Sequence, residues 1–327
     1  MQLRTLIGSY AAAALLAGPA HAQLALTPQG IADGFTLASF VSGYNFGATY
    51  GPLAEGILSN GNVVTGSVGD GKIYVFKDVN NQTLSDALSA TPYTFMTGNP
   101  NYAMATAGGK VYGAQLFGGV YEQFTNTGAH AAIAGLGAQD SLGMWGDPVN
   151  GHIISAANQG LIDINPLNAT FRVIAPNPGA DGVTISPDGK IIYAEAGGNI
   201  LAYSYATGTL LNTYSGNGHS PDGTGVISGG KFNGDIVVNN NDGTVGLIDV
   251  KTGTETIIAG GGNRGDFVSP DTSNGTLFLS QFNQVWRLSC GKGCSIGGGG
   301  GGTGVPEPGT LALFGLGLAA LGLRRRR

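Results

Sequence analysis

Three observations predict an all-β fold for this sequence, a single six-bladed β-propeller closed by an N-terminal strand. Glycine fills 59 of 327 positions, more than twice the roughly 7% usual in proteins. Charged residues make up only 11% of the chain, under half the roughly 25% typical of soluble domains. Turn signals recur with a period near forty residues. The glycines follow no strict Gly-X-Y period, which excludes collagen. A hydrophobic content of 42% with few, mixed charges excludes disorder. A formal net charge of −5 and a pI near 5.2 exclude a nucleic-acid surface, which needs clustered Lys and Arg.

The repeat is read from its turns. Two-residue signals stand at Asn60-Gly61, Gly108-Gly109, Asn150-Gly151, Asp188-Gly189, Asn233-Gly234 and Asn274-Gly275, each followed by an apolar strand. A polar residue precedes each inner strand, at Glu55, Asn101, Asp140, Asp181, Asp222 and Asp266, with spacings of 46, 39, 41, 41 and 44 residues. The unit from Asp181 shows four strands and three hairpin turns, the signature of a propeller blade. The sixth unit, Asp266 to Leu288, has room for three strands. Phe35 to Val41 is a strand without a hairpin partner, and pairing it there would close the ring and remove the exposed edges. The propeller is therefore expected over residues 30–295.

Both ends read as addresses. Residues 1–22 form a signal peptide: Arg4, the apolar stretch Leu6 to Leu16, and Ala20-His21-Ala22 as the cleavage site for signal peptidase. A retained N-terminal anchor is the alternative. Residues 296–304 are a Gly-rich linker, followed by Val305-Pro306-Glu307-Pro308, the apolar Leu311 to Leu323, and Arg324 to Arg327. Thirteen apolar residues make about 20 Å of helix, a short membrane span. The arginines hold the end of that transmembrane helix in the cytoplasm. Residues 305–327 resemble the PEP-CTERM sorting signal of Gram-negative bacteria in all three of its parts, in order. The resemblance implies export, transient inner-membrane anchoring and cleavage by exosortase near Pro306, Glu307 and Pro308. It implies a final place at the cell surface, at the outer membrane or outside the cell, in company with exopolysaccharide. A permanent anchor is the alternative here. Without both ends the chain loses five Arg and one Glu, leaving a net charge near −9.

Cys290 and Cys294 are the two cysteines. In an oxidising compartment they read as a local disulfide; a two-thiolate metal site would need further ligands. Standard catalytic signatures are absent, and after signal removal only His130, His152 and His219 remain. The six polar residues at the inner-strand starts would converge at one mouth of the channel. Clustered carboxylates there would have to protonate, splay apart or hold a hard cation such as Ca²⁺ or Mg²⁺. The alternative is that each Asp before a Gly caps its own turn.

The segments Glu55-Gly56, Asp181 to Tyr193 and Pro221-Asp222-Gly223 resemble the SMP-30/gluconolactonase/regucalcin-like propellers. That resemblance implies a divalent-cation site held by Glu55, Asn101, Asp181 and Asp222. It departs from the family pattern in lacking Pro and Trp after Glu55-Gly56 and an Arg beside Asn101. Asp222 and His219 are the catalytic candidates if the protein is a metal-dependent lactonase. Asp78-Val79-Asn80-Asn81-Gln82 with Asp86 resembles part of a calcium loop but lacks its Gly and closing Glu; a plain solvated loop is the alternative. The favoured expectation is an exported binding or structural protein whose partner is an extracellular polysaccharide or a surface protein; the alternative is a gluconolactonase-type hydrolase.

Overall fold

The computed structural model describes residues 23–44, 51–92, 101–115, 120–137, 140–176 and 178–297, without the side chains of 101, 102 and 115. The signal peptide, the sorting segment and most of the Gly linker lie outside them. Among the described residues no helix is long and apolar enough to cross a membrane.

Six antiparallel sheets form the blades of a propeller. Their innermost strands are Pro52–Ile57, Asn101–Ala107, Ser141–Gly146, Val183–Ile185, Pro221–Gly229 and Gly265–Asp271. Each packs on the next, and the sixth packs on the first, so the ring is closed. All six turn signals lie between the first and second strands of a blade, and Gly61, Gly109, Gly151, Gly189, Gly234 and Gly275 take positive φ of 70–92°. An L side chain is strained in that region, which is why glycine punctuates the repeat. Hydrophobic clusters fill the spaces between blades; Phe40, Phe76, Phe278 and Val285, for example, are fully buried between blades 6 and 1.

Closure is made by Thr36–Ser42, antiparallel to Gln284–Ser289, as the fourth strand of blade 6. The N-terminus also staples the neighbouring blade. Ala25–Leu26 extends blade 5 beyond Glu255–Gly260. A short helix, Pro28–Ala32, is capped by Thr27, whose hydroxyl accepts from the Gly30 amide at 3.1 Å. Beyond blade 6, Cys290 and Cys294 are joined as a disulfide, with Cα atoms 5.9 Å apart. Cys294–Ile296 then pairs with Ile227–Gly229, the far end of the inner strand of blade 5. The Gly297 amide donates to the Val226 carbonyl at 2.9 Å. Gly297 lies so close to Pro270 and Trp145, on two other inner strands, that a Cβ there would overlap both. The chain thus leaves the described fold at the end of the channel opposite the inner-strand starts.

Candidate functional site

Two local devices build the mouth at the inner-strand starts. The first is the glycine after the acid. A Cβ on Gly182 would overlap the Asp222 carbonyl, and one on Gly223 would press on the Asp266 carbonyl. Asp181-Gly182 and Asp222-Gly223 therefore serve close approach between inner strands, which leaves the acids at the rim. The second is the β-bulge. Pairing shifts by one residue between Pro221 and Gly223, leaving Asp222 as the extra residue, and shifts again between Gly265 and Val268 around Asp266. Bulges re-aim side chains in this way at the rims of sheets.

Five carboxylates gather there. Glu55 is fully buried; its Oε1 accepts from the Ser280 hydroxyl at 2.8 Å, and its backbone amide donates to Ser269 at 3.2 Å. Burial, helped by the charge of Asp266 and opposed by those serines, pushes its pKa up to about 7. Burial also raises Asp266 to about 7 against the pull of Arg264. Asp222 is held well above the usual range by burial and by the charges of Asp266 and Asp181. Asp181 is raised by burial. Glu195, which no sequence motif singled out, is raised to about 7 by burial and by Asp181.

The group that organises them is Arg264. Its Nη1 donates to Asp266 Oδ2 at 2.8 Å and its Nη2 to Asp222 Oδ2 at 3.3 Å. Behind it, Asn239 Nδ2 donates to the carbonyls of Asp266 at 2.9 Å and Ser280 at 2.8 Å. Two buried oxygens at the mouth, Glu55 Oε2 and Asp222 Oδ1, have no hydrogen-bond partner among the described residues.

The other candidates fall as follows. The side chain of Asn101 lies outside the described residues. Asp140 lies near Tyr121, whose phenol its charge helps to raise. His219 does not join Asp222: its Nδ1 lies 2.6 Å from Asp242 Oδ2 and 3.4 Å from Thr244 Oγ1. A preceding tight turn, with the His219 amide on the Gly216 carbonyl, commits the ring to that pair. The Asp78 loop is neither free nor calcium-like, because Arg287 of blade 6 binds Asp78 and Asn80.

A divalent cation at the mouth would have to compete with Arg264 for the acids. Arg264 already occupies Asp222 and Asp266, Ser280 occupies one oxygen of Glu55, and no group of three metal-ligating side chains converges among the described residues. Arg264 was legible only as a rarity: Arg172, Arg264 and Arg287 are the sole arginines of residues 23–297. Each one seats on carboxylates. Chemically the mouth offers hydrogen-bond acceptors, one guanidinium and a serine hydroxyl, Ser280, held by the Glu55 carboxylate.

Comparison with known proteins agrees with this architecture. Residues 304–327 match the PEP-CTERM protein-sorting motif, which marks the chain as exported, membrane-transiting and processed by exosortase. No curated protein sequence matches the chain. A gluconolactonase from Xanthomonas campestris has a similar fold: identity is 14% over 80% of this chain and 93% of that one, with a TM-score of 0.60. An auxiliary nutrient binding protein from Bacteroides thetaiotaomicron is 11% identical over 78% and 76%, with a TM-score of 0.55. A catalytically inactive virginiamycin B lyase from Staphylococcus aureus, with quinupristin, is 11% identical over 78% and 99%, with a TM-score of 0.52. At these identities the likeness is one of fold.

Proposed function

We propose that this protein is a surface or extracellular-matrix binding propeller, cleaved near Pro306, Glu307 and Pro308, whose acidic channel mouth takes the ligand. The observation that carries the reading is the mouth itself. Asp222 and Asp266 hold Arg264, Asp181 feels its charge, Glu55 and Glu195 are linked to these acids, and the one nearby histidine in the sequence is committed to Asp242. Such a set favours hydroxyl-rich or cationic groups through hydrogen bonds and charge. Extracellular polysaccharide, or a basic segment of a surface protein, has that chemistry. The test is co-sedimentation of the mature protein with matrix from the producing cells. Asp222→Asn and Arg264→Leu should each lower retention, and retention unchanged in both would remove the mouth from the reading. Glu307→Ala should leave a heavier, membrane-retained form in a host with exosortase; identical mature masses would overturn the processing site.

A metal-dependent lactonase is the second reading, favoured by the two unpartnered buried oxygens of Glu55 and Asp222. It requires a divalent cation to displace Arg264. Lactone hydrolysis that appears only with added cation, and vanishes in Asp222→Asn, would establish it.

A further inference from the structure

An asparagine followed by glycine can lose its side-chain amide without any enzyme. The glycine nitrogen attacks Cγ of the asparagine, and the absence of a Cβ on the attacking residue leaves that approach open. The new N–Cγ bond replaces the Cγ–Nδ2 bond, and the glycine amide proton leaves with that nitrogen as ammonia. Water then opens the cyclic imide at either carbonyl, giving aspartate or its β-linked isomer. The net exchange is one water taken up and one ammonia released. Solvent is the only co-reactant.

The chain contains five such pairs, beginning at Asn60, Asn150, Asn217, Asn233 and Asn274. Four of them are turn signals within blades, where the fold restrains both reacting groups. The amides of Gly61, Gly151, Gly234 and Gly275 donate to the carbonyls of Leu58, Asp147, Ile227 and Asp271 at 2.8–3.0 Å. The side-chain carbonyls of Asn60, Asn150, Asn233 and Asn274 accept from backbone amides at 2.7–3.1 Å. Both bonds must break before the ring can close. Asn217-Gly218 lies instead in the connection from the outer strand of blade 4, Leu210–Ser215, to the inner strand of blade 5, Pro221–Gly229. The His219 amide donates to the Gly216 carbonyl at 2.7 Å, and between them Asn217 and Gly218 take φ of 49° and 92°. That is a type I′ turn. The Gly218 amide has no hydrogen-bond partner among the described residues. Both residues are exposed, and a Cβ on Gly218 would meet nothing within 4 Å. Gly275, by contrast, is buried, its Cβ position 2.7 Å from Ser295 Oγ.

We infer that Asn217 is a site of spontaneous deamidation, the Asn-Gly pair that converts first in the folded protein, and that conversion adds a carboxylate at the mouth-side rim of blade 5. The ring closes when the turn opens, and one backbone bond holds that turn shut. Positive φ costs an L residue more than it costs glycine, which favours opening further. The turn leads directly into Pro221 and Asp222 of the mouth. Glu255 is raised by burial and drawn back down by Asn240, His219 and the Asn217 amide. Conversion replaces one of those donors with an anion, and the β-linked isomer lengthens the backbone of the turn.

The test is incubation of the purified protein in heavy-oxygen water at mildly alkaline pH, followed by peptide mapping. Each conversion takes up one heavy oxygen, which separates it from acid present beforehand. In the folded protein Asn217 should convert about fivefold or more faster than Asn60, the factor set by one net hydrogen bond. It should lead Asn150, Asn233 and Asn274, each restrained at both groups, by more. In urea the five rates should draw together, because the restraint is conformational. Asn217→Gly keeps a residue suited to positive φ. By ion exchange it should stay a single species over the time in which the wild type gains a more acidic form. Equal rates at Asn217 and Asn60 in the folded protein would overturn the inference. So would the same lead for Asn217 in urea, or an acidic form that accumulates in Asn217→Gly at the wild-type rate.

Discussion

At the seam between blades 6 and 1, Arg287 joins Asp78 and Asp271; at the channel mouth, Arg264 joins Asp222 and Asp266. At the seam the acids are fully partnered, although the buried Arg287 Nε has no hydrogen-bond partner among the described residues. Arg287 is only 9% exposed and lies between the rings of Phe40 and Phe278, at 4.8 and 4.9 Å. Every carboxylate oxygen there has a partner, because Ser273 donates to both acids and Asn274 to Asp271. The mouth is incomplete. Arg264 is 32% exposed, and Asp222 Oδ1 and Glu55 Oε2 have no hydrogen-bond partner among the described residues. The same residue types thus make a closure at one place and a site at the other. What separates them is whether every carboxylate oxygen has a partner.

The sharpest way to break this comparison is to remove each guanidinium. Arg287→Leu leaves Asp78 and the fully buried Asp271 facing each other, where burial and Asp78 already raise Asp271 to about 6. Loss of one partner of a buried pair costs about 3–5 kcal/mol. Arg264→Leu should cost at most about 1–2 kcal/mol, since the arginine is one-third exposed and the mouth acids can take up protons. Urea midpoints decide the matter, and equal losses would make the mouth a second structural seam.

The next effect is set by pH. Glu55 has its pKa raised from 4.5 to about 7 in the fold, so the folded state binds more protons than the unfolded state between those values. The stabilising contribution is fully present below about pH 4.5 and is lost as pH rises through about 7. For a shift of that size the change is about 3 kcal/mol. Melting temperature should therefore fall from pH 5 to pH 8 (about 3 kcal/mol in stability), and Glu55→Gln should flatten the fall and be the more stable protein at the higher pH. A wild-type curve that rises over this interval would mean the mouth stays ionised.

The fold was legible because its signals are local. Asn60-Gly61 or Asp188-Gly189 specifies a turn within its own few residues, and the lone strand near Phe35 had one vacancy to fill. The ring of acids was legible in part, since repeat position places Glu55, Asp181, Asp222 and Asp266 at one mouth. Arg264 was not, because its bond to Asp222 spans 42 residues between blades. Nor were the bulges at Asp222 and Asp266, which exist only in the register of paired strands. His219 shows the limit of proximity in sequence: three residues from Asp222, it turns to Asp242, 23 residues away.

The finest separation between mouth and seam is the response to calcium. A hard cation binds where carboxylate oxygens are both available and able to ionise. At the seam the oxygens are not available, because serine, asparagine and arginine take every one. At the mouth the oxygens exist, but Arg264 supplies the positive charge, so millimolar Ca²⁺ should leave the wild-type melting curve unmoved. Arg264→Gln removes that charge while keeping a polar side chain. Asp222, Asp266 and Asp181 would then repel one another, and a divalent cation is the group that relieves them. If the cation binds the folded state alone, stability rises by about 2.7 kcal/mol at one hundred times the dissociation constant. Adding Asp222→Asn to Arg264→Gln should abolish the rise, while Arg287→Leu should show none. A calcium response already present in the wild type would instead show that the cation displaces the guanidinium, and would favour the lactonase reading of the mouth.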